Sequence, residues 1–223
     1  MNVDEHRIAT PVAIVDDEPS VRESLRRLLD SAGHEVVTFE SAEHLLASEE
    51  PGGFACLLLD VSLPGMSGLE LLGRLTGDPA ASAMPVVMIS GRAEVPEAVS
   101  AMKAGAAEFL VKPLASDDVL TAVDRGLAEH RRRSIVSEQQ REARRRVESL
   151  TRRENEVLRL IVAGRLNKQM AVELGISQKT VEFHRARVMR KLDVTCMAEL
   201  MRVAFLGGVR DLYQPPAALA AEV

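Results

Sequence analysis

Four short apolar runs in the first half of the chain end, one after another, on residues that carry chemistry. Val12-Ala13-Ile14-Val15 leads into Asp16 and Asp17, Cys56 to Leu59 into Asp60, Val86 to Ile89 into Ser90, and Phe109 to Val111 into Lys112-Pro113. Between them lie amphipathic stretches of helical length, rich in Ala, Leu, Glu and Arg. Uninterrupted apolar runs of this length suit strands buried on both faces, and their alternation with helices predicts βα units around a parallel sheet. Ligands of such open sheets collect outside the carboxyl ends of the strands. The spacing therefore predicts one crevice lined by three carboxylates, a hydroxyl and an ammonium.

Carboxylates crowded together repel one another, and a hard cation such as Mg2+, which takes oxygen ligands and bridges to phosphate, relieves the repulsion. Asp60 is the candidate nucleophile, because a carboxylate can form an aspartyl-phosphate. Lys112 and Ser90 are placed to meet phosphoryl oxygens.

The motifs that carry these residues are Val15-Asp16-Asp17-Glu18, Leu59-Asp60 through Gly68, Ile89-Ser90-Gly91, Ala104-Gly105-Ala106 and Phe109 through Pro113. In this order they resemble the receiver domain of bacterial two-component response regulators. The resemblance implies a flavodoxin-like (CheY-like), doubly wound, five-stranded parallel α/β domain. It implies that Asp60 accepts phosphate from a sensor histidine kinase, and that Asp17, Asp60 and the backbone carbonyl of Ser62 hold Mg2+, with Asp16 completing the acidic pocket. Ser90 and Phe109 match the hydroxyl and aromatic positions that rearrange on phosphorylation, and the Lys112-Pro113 bond is expected to be cis.

Charge divides the chain. Residues 1–128 hold nine Lys and Arg against 21 Asp and Glu, a net −12, whereas residues 129–223 hold 19 against 12, a net +7. An acidic first half and a basic second half predict two modules with different partners, the second attracted to a polyanion such as DNA. No apolar run reaches the ~18 residues of a membrane span, and residues 1–7 are polar, so a cytoplasmic protein is expected. Cys56 and Cys196 sit in apolar surroundings without disulfide or metal spacing and are expected to be core residues.

The boundaries expected are a receiver over 1–128, a helical linker over 129–147, a DNA-binding domain over 148–210 and a loosely ordered tail over 211–223. The linker has no Gly or Pro and carries Glu129 with Arg133 and Glu142 with Arg146 at i,i+4 spacing, which favours helix with a solvated face. Fraying is expected at Ser134 or Ser137.

In the second module, Thr151-Arg152-Arg153-Glu154 is a capping box that predicts a helix ended by Gly164. A short helix from Asn167 to Leu174, a turn at Gly175 and a third helix capped by Ser177 and running to about Leu192 make the helix-turn-helix plan. A fourth helix follows, from Met197 to Phe205. Leu150 to Glu154, Asn167-Lys168, Thr180 to His184 and Arg190-Lys191-Leu192 resemble the all-α, four-helix DNA-binding domain of the LuxR/NarL/FixJ class, and Val95 to Val99 with Ala101 to Ala106 place the chain nearest the FixJ-like branch. Lys168, Lys179, Thr180, Arg185 and Lys191 are candidate phosphate contacts. Glu182, Phe183 and Arg187 are candidate base-edge contacts, and His184 matches a position characteristic of the class. Glu182 and Ala186 stand where some relatives carry lysine, so an operator sequence does not transfer.

The implied function is a transcription regulator controlled by phosphorylation, not an enzyme. Its implied partners are a sensor histidine kinase, operator DNA, a second copy of the chain when phosphorylated, and RNA polymerase, with no membrane. An aspartate-based phosphatase is the competing class; many such enzymes carry a second acid two residues after the nucleophile, where this chain has Ser62.

Overall fold

The computed structural model describes residues 10–49, 51–78, 81, 84–91 and 95–209, in two units divided between Ser134 and Ile135. The tail expected over 211–223 lies outside the described residues.

The first unit alternates strand and helix: β1 (Val12–Val15), α1 (Pro19–Ser31), β2 (Val36–Phe39), α2 (Ala42–Leu46), β3 (Cys56–Asp60), α3 (Gly68–Gly77), β4 (Val86–Ser90), α4 (Val95–Lys103) and β5 (Glu108–Val111), followed by the start of α5 (Ser116–Glu148). All four strand pairings are parallel, in the order β2-β1-β3-β4-β5. The order reverses between β1 and β3, so the crevice outside their carboxyl ends lies beside Asp16 and Asp60. β1, β3 and β4 are buried throughout, and because strand side chains alternate between faces they feed two cores. Ala13, Val15, Leu57, Leu59 and Met88 enter one; Val12, Ile14, Leu58, Val87 and Ile89 enter the other.

β2 is the strand that the apolar runs did not announce. It is an edge strand, only half-buried, with Thr38 interrupting its apolar residues, so it carries no continuous hydrophobic signal.

α5 is helical through 129–147, without a break at Ser134 or Ser137. Glu129 meets Arg133 at 2.7 Å and Glu142 meets Arg146 at 2.9 Å. Such half-exposed pairs within one helix contribute little, and the continuity follows from the absence of Gly and Pro.

The second unit comprises the remainder of α5 with α6 (Arg152–Val162), α7 (Asn167–Leu174), α8 (Gln178–Lys191) and α9 (Met197–Leu206). Its core gathers Val157, Leu158, Met170, Val181, Val188, Leu192 and Leu200, together with Ala143 and Val147 of α5. Thr151 and Glu154 form the expected capping box, and Ser177 caps α8. Gly175 takes φ 64°, the left-handed angle that lets the chain turn between α7 and α8.

The cysteine expectation holds for one residue of two. Cys56 is buried, and burial pushes its thiol up to about 12. Cys196 is exposed: it is the residue before α9, whose buried positions begin at Leu200. Among the described residues no helix is long and apolar enough to cross a membrane.

Candidate functional site: an acidic pocket and a basic helix

Asp16 follows β1 and Asp60 ends β3, and both are buried. Lys112, just past β5, reaches back between them: its Nζ lies 2.9 Å from Asp16 Oδ2 and 2.8 Å from Asp60 Oδ1. The other oxygens are held by backbone. Glu18 N–H donates to Asp16 Oδ1 at 2.9 Å, and Ser62 N–H donates to Asp60 Oδ2 at 2.7 Å. The Lys112-Pro113 bond is cis, and Lys112 N–H donates to the carbonyl of Ser90 at 2.8 Å, which ties the β5 end to the β4 end.

Two buried carboxylates thus share one ammonium, and the pocket keeps a net negative charge. The imbalance is felt on both partners. Burial raises the Asp16 carboxyl above its ordinary value, with Asp60 adding to the rise and Lys112 opposing it. For Lys112, burial alone would lower the ammonium, but hydrogen bonds to Asp60 and Asp16 outweigh it and raise the group.

Asp17, the third carboxylate expected in the crevice, is exposed, and among the described residues no three His, Cys, Asp or Glu side chains gather as a metal cage. The carboxylates brought together number two. That pair still suits Mg2+, which is held through one or two carboxylates while water and phosphate supply its other oxygens.

Ser90 is buried at the end of β4, one residue past the Ile89 that pairs with Asp60, and its hydroxyl donates to Glu97 Oε2 of α4 at 2.8 Å. Phe109 of β5 is half-buried against the core.

In the second unit, α8 directs Val181 and Val188 inward and leaves Lys179, Glu182, Phe183 and Arg190 exposed. Phe183 is 57% exposed, and the Arg187 guanidinium lies 5.4 Å from its ring centroid. Lys168 on α7 is exposed as well. Five candidates have partners or burial of their own. Thr180 shares a 2.8 Å hydrogen bond with Ser177 at the helix cap. Lys191 Nζ lies 2.7 Å from the buried Glu154 and donates to the Ser149 carbonyl at 3.2 Å. Arg187 Nε is 3.3 Å from the other Glu154 oxygen. His184 and Arg185 are half-buried, and His184 Nδ1 has no hydrogen-bond partner.

Residues 12–124 match the family described as "Response regulator receiver domain", and residues 148–204 match "Bacterial regulatory proteins, luxR family". The transcriptional regulatory protein FixJ of Azorhizobium caulinodans is 41% identical over 199 residues, covering 89% of this chain and 93% of its own. The chain belongs to the FixJ-like response regulators. Among solved structures, the response regulator StyR is 43% identical with a TM-score of 0.77, covering 88% of this chain and 99% of its own. Full-length FixJ of B. japonicum is 34% identical with a TM-score of 0.52, covering 90% and 98%. A receiver joined to a LuxR-type DNA-binding domain makes this response regulator a phosphorylation-controlled transcription regulator.

Three features of this response regulator were not legible in its sequence. Gly68 opens α3 against the backbone of Asp60, so that any Cβ there would collide with the Asp60 carbonyl. Glu43 of α2 accepts from Met66 N–H at 2.8 Å and so braces the loop that follows Asp60. Glu154 shows in sequence only as a capping residue, yet it also anchors Lys191 and Arg187. The Gly in Met66-Ser67-Gly68 was the one available signal; the partners of Glu43 and Glu154 lie 23 or more residues away.

Proposed function

We propose that Asp60 is the phosphoacceptor and that its phosphorylation, by a cognate sensor histidine kinase, shifts the receiver to a dimerising state that lets the second domain bind operator DNA. The observation that carries this reading is the pair of buried carboxylates sharing one lysine at the switch point of the sheet. One Asp60 oxygen bonds to phosphorus as the phosphorus–nitrogen bond to the donor histidine breaks, and the released imidazole takes a proton from solvent. Asp60 and the Ser62 carbonyl would hold Mg2+ with the exposed Asp17 turning in to join them and Asp16 adding negative charge, and the bound ion would offset the charge of the incoming phosphoryl group. Lys112 passes from the two carboxylates to a phosphoryl oxygen, and Ser90 presents its hydroxyl to another.

Dimerisation is supported by the apolar surface on α4, where Val95 is 74%, Val99 44% and Met102 50% exposed, next to the edge strand β5 with Phe109. Phosphorylation acts as a population shift: about 5.5 kcal/mol of differential stabilisation moves an equilibrium from 1:99 to 99:1. On DNA, Lys168, Lys179, Thr180 and Arg185 contact phosphates, and Lys191 joins them only by leaving Glu154. Glu182, Phe183 and Arg187 face base edges, and the half-buried His184 is the helix's further candidate for DNA contact. The regulator works in the cytoplasm, and RNA polymerase is its further partner at the promoter.

The test is phosphate incorporation from acetyl phosphate with Mg2+, read on a phosphate-retarding gel. Wild type is expected to shift and Asp60→Asn to remain unshifted with an unchanged fold. Uptake by the variant would remove Asp60 from the mechanism.

A further inference from the structure

Ser90 and the carboxylate that holds it belong to different elements, Ser90 to the end of β4 and Glu97 to α4. The Ser90 side chain is buried, and its hydroxyl donates to Glu97 Oε2 across 2.8 Å. Glu97 lies in the first turn of α4, seven residues on, and is half-buried. A serine hydroxyl has a single proton to donate. While it is given to Glu97, it is not available to an acceptor on Asp60.

From this contact we infer that Glu97 is a positioning residue that acts through Ser90: it holds the hydroxyl toward α4 in the resting receiver and competes for it with the phosphoryl group. The inference rests on the reading of Asp60 as phosphoacceptor. A phosphoryl group brings a charge of about −1.5 to −2 and three strong acceptor oxygens, against the single charge of Glu97, so it can win the proton. The cost of parting Ser90 from Glu97 is then set against phosphorylation, and the strength of this one hydrogen bond tunes how much phosphodonor the switch needs. The release also frees the first turn of α4, the helix that carries Val95, Val99 and Met102.

Bonds to charged groups are strong enough that losing one shifts an equilibrium about tenfold. The experiment titrates acetyl phosphate with Mg2+ against the full chain and reads the phosphorylated fraction for wild type, Glu97→Ala, Glu97→Gln, Ser90→Ala and the Glu97→Ala/Ser90→Ala pair. Glu97→Ala is expected to reach half-phosphorylation at about a tenth of the wild-type donor concentration. Glu97→Gln, which keeps an oxygen acceptor without the charge, should fall between the two, and it carries the test alone if the Ala variant misfolds. In the Ser90→Ala background, Glu97→Ala should change nothing. Equal shifts in both backgrounds would mean that Glu97 acts by charge or through α4 rather than through Ser90, and would overturn the inference. So would normal wild-type phosphorylation with no shift in either Glu97 variant. If wild type takes no phosphate on Asp60, the phosphoacceptor reading fails first and this inference falls with it.

Discussion

Each domain of the molecule buries a carboxylate beneath a lysine, and the two sites have opposite charge balance. In the second domain, Glu154 is satisfied: it accepts from Lys191 and from Thr151 N–H, and Arg187 stands 3.3 Å away. The Lys191 hydrogen bond, followed by those from Thr151, holds its carboxyl at about 2. In the receiver, Asp16 and Asp60 divide one ammonium, and burial pushes Asp16 upward instead. A buried charge that is over-supplied with partners fixes architecture. A buried charge that is under-supplied leaves a deficit that an added cation would fill, which is what the proposed role of Asp60 requires.

Substitutions can break or sharpen that contrast. The largest effect is expected at Asp60, where Asn should abolish phosphate uptake while leaving the receiver at least as stable as wild type, because one of two competing charges is gone; chemical denaturation checks the second half. Lys112→Met should do the reverse to stability. The ammonium raised above its ordinary value in the fold contributes throughout the neutral range, and without it two carboxylates face one another unpaired. The variant should regain stability as pH falls and the carboxyls protonate, measured as a rising urea midpoint.

Next comes Glu154→Gln, expected to destabilise the second domain by about 1–3 kcal/mol in equilibrium unfolding, since it leaves a lysine without its charged partner. The pH dependence has a definite sign. The folded value of about 2 lies below the ordinary 4.5, so the stabilisation is present above 4.5 and disappears as pH falls toward 2. The Gln variant should lose that slope. Smallest of all, Glu129→Ala should give no measurable change in the unfolding midpoint, although Glu129 bonds two arginines, because both arginines are exposed on the face of α5.

The receiver site was legible in sequence because its residues sit at the ends of strands, where topology rather than distant packing brings them together. Asp16, Asp60, Ser90 and Lys112 follow from apolar runs alone. The helices of the second domain were legible for a related reason: Thr151, Gly175 and Ser177 are local signals whose partners lie within a few residues. Three kinds of feature escaped. β2 is an edge strand with one polar residue and no buried run. Cys196 looked apolar by its neighbours, yet it precedes the first inward position of α9. The contacts of Glu97, Glu43 and Glu154 depend on which helix face meets which loop, and a single charged residue on an amphipathic helix carries no mark of that. Lys191 shows the same gap from the other side: a basic residue near the end of α8 has its ammonium already held by Glu154.

The measurement that bears most directly on the phosphoacceptor account is the solution mass by light scattering of wild type and Asp60→Asn, with Mg2+, before and after acetyl phosphate. The account predicts that wild type alone doubles its mass on treatment and that Asp60→Asn stays a monomer in both conditions. A wild type that takes up phosphate yet stays monomeric, or a variant that dimerises equally, would contradict it.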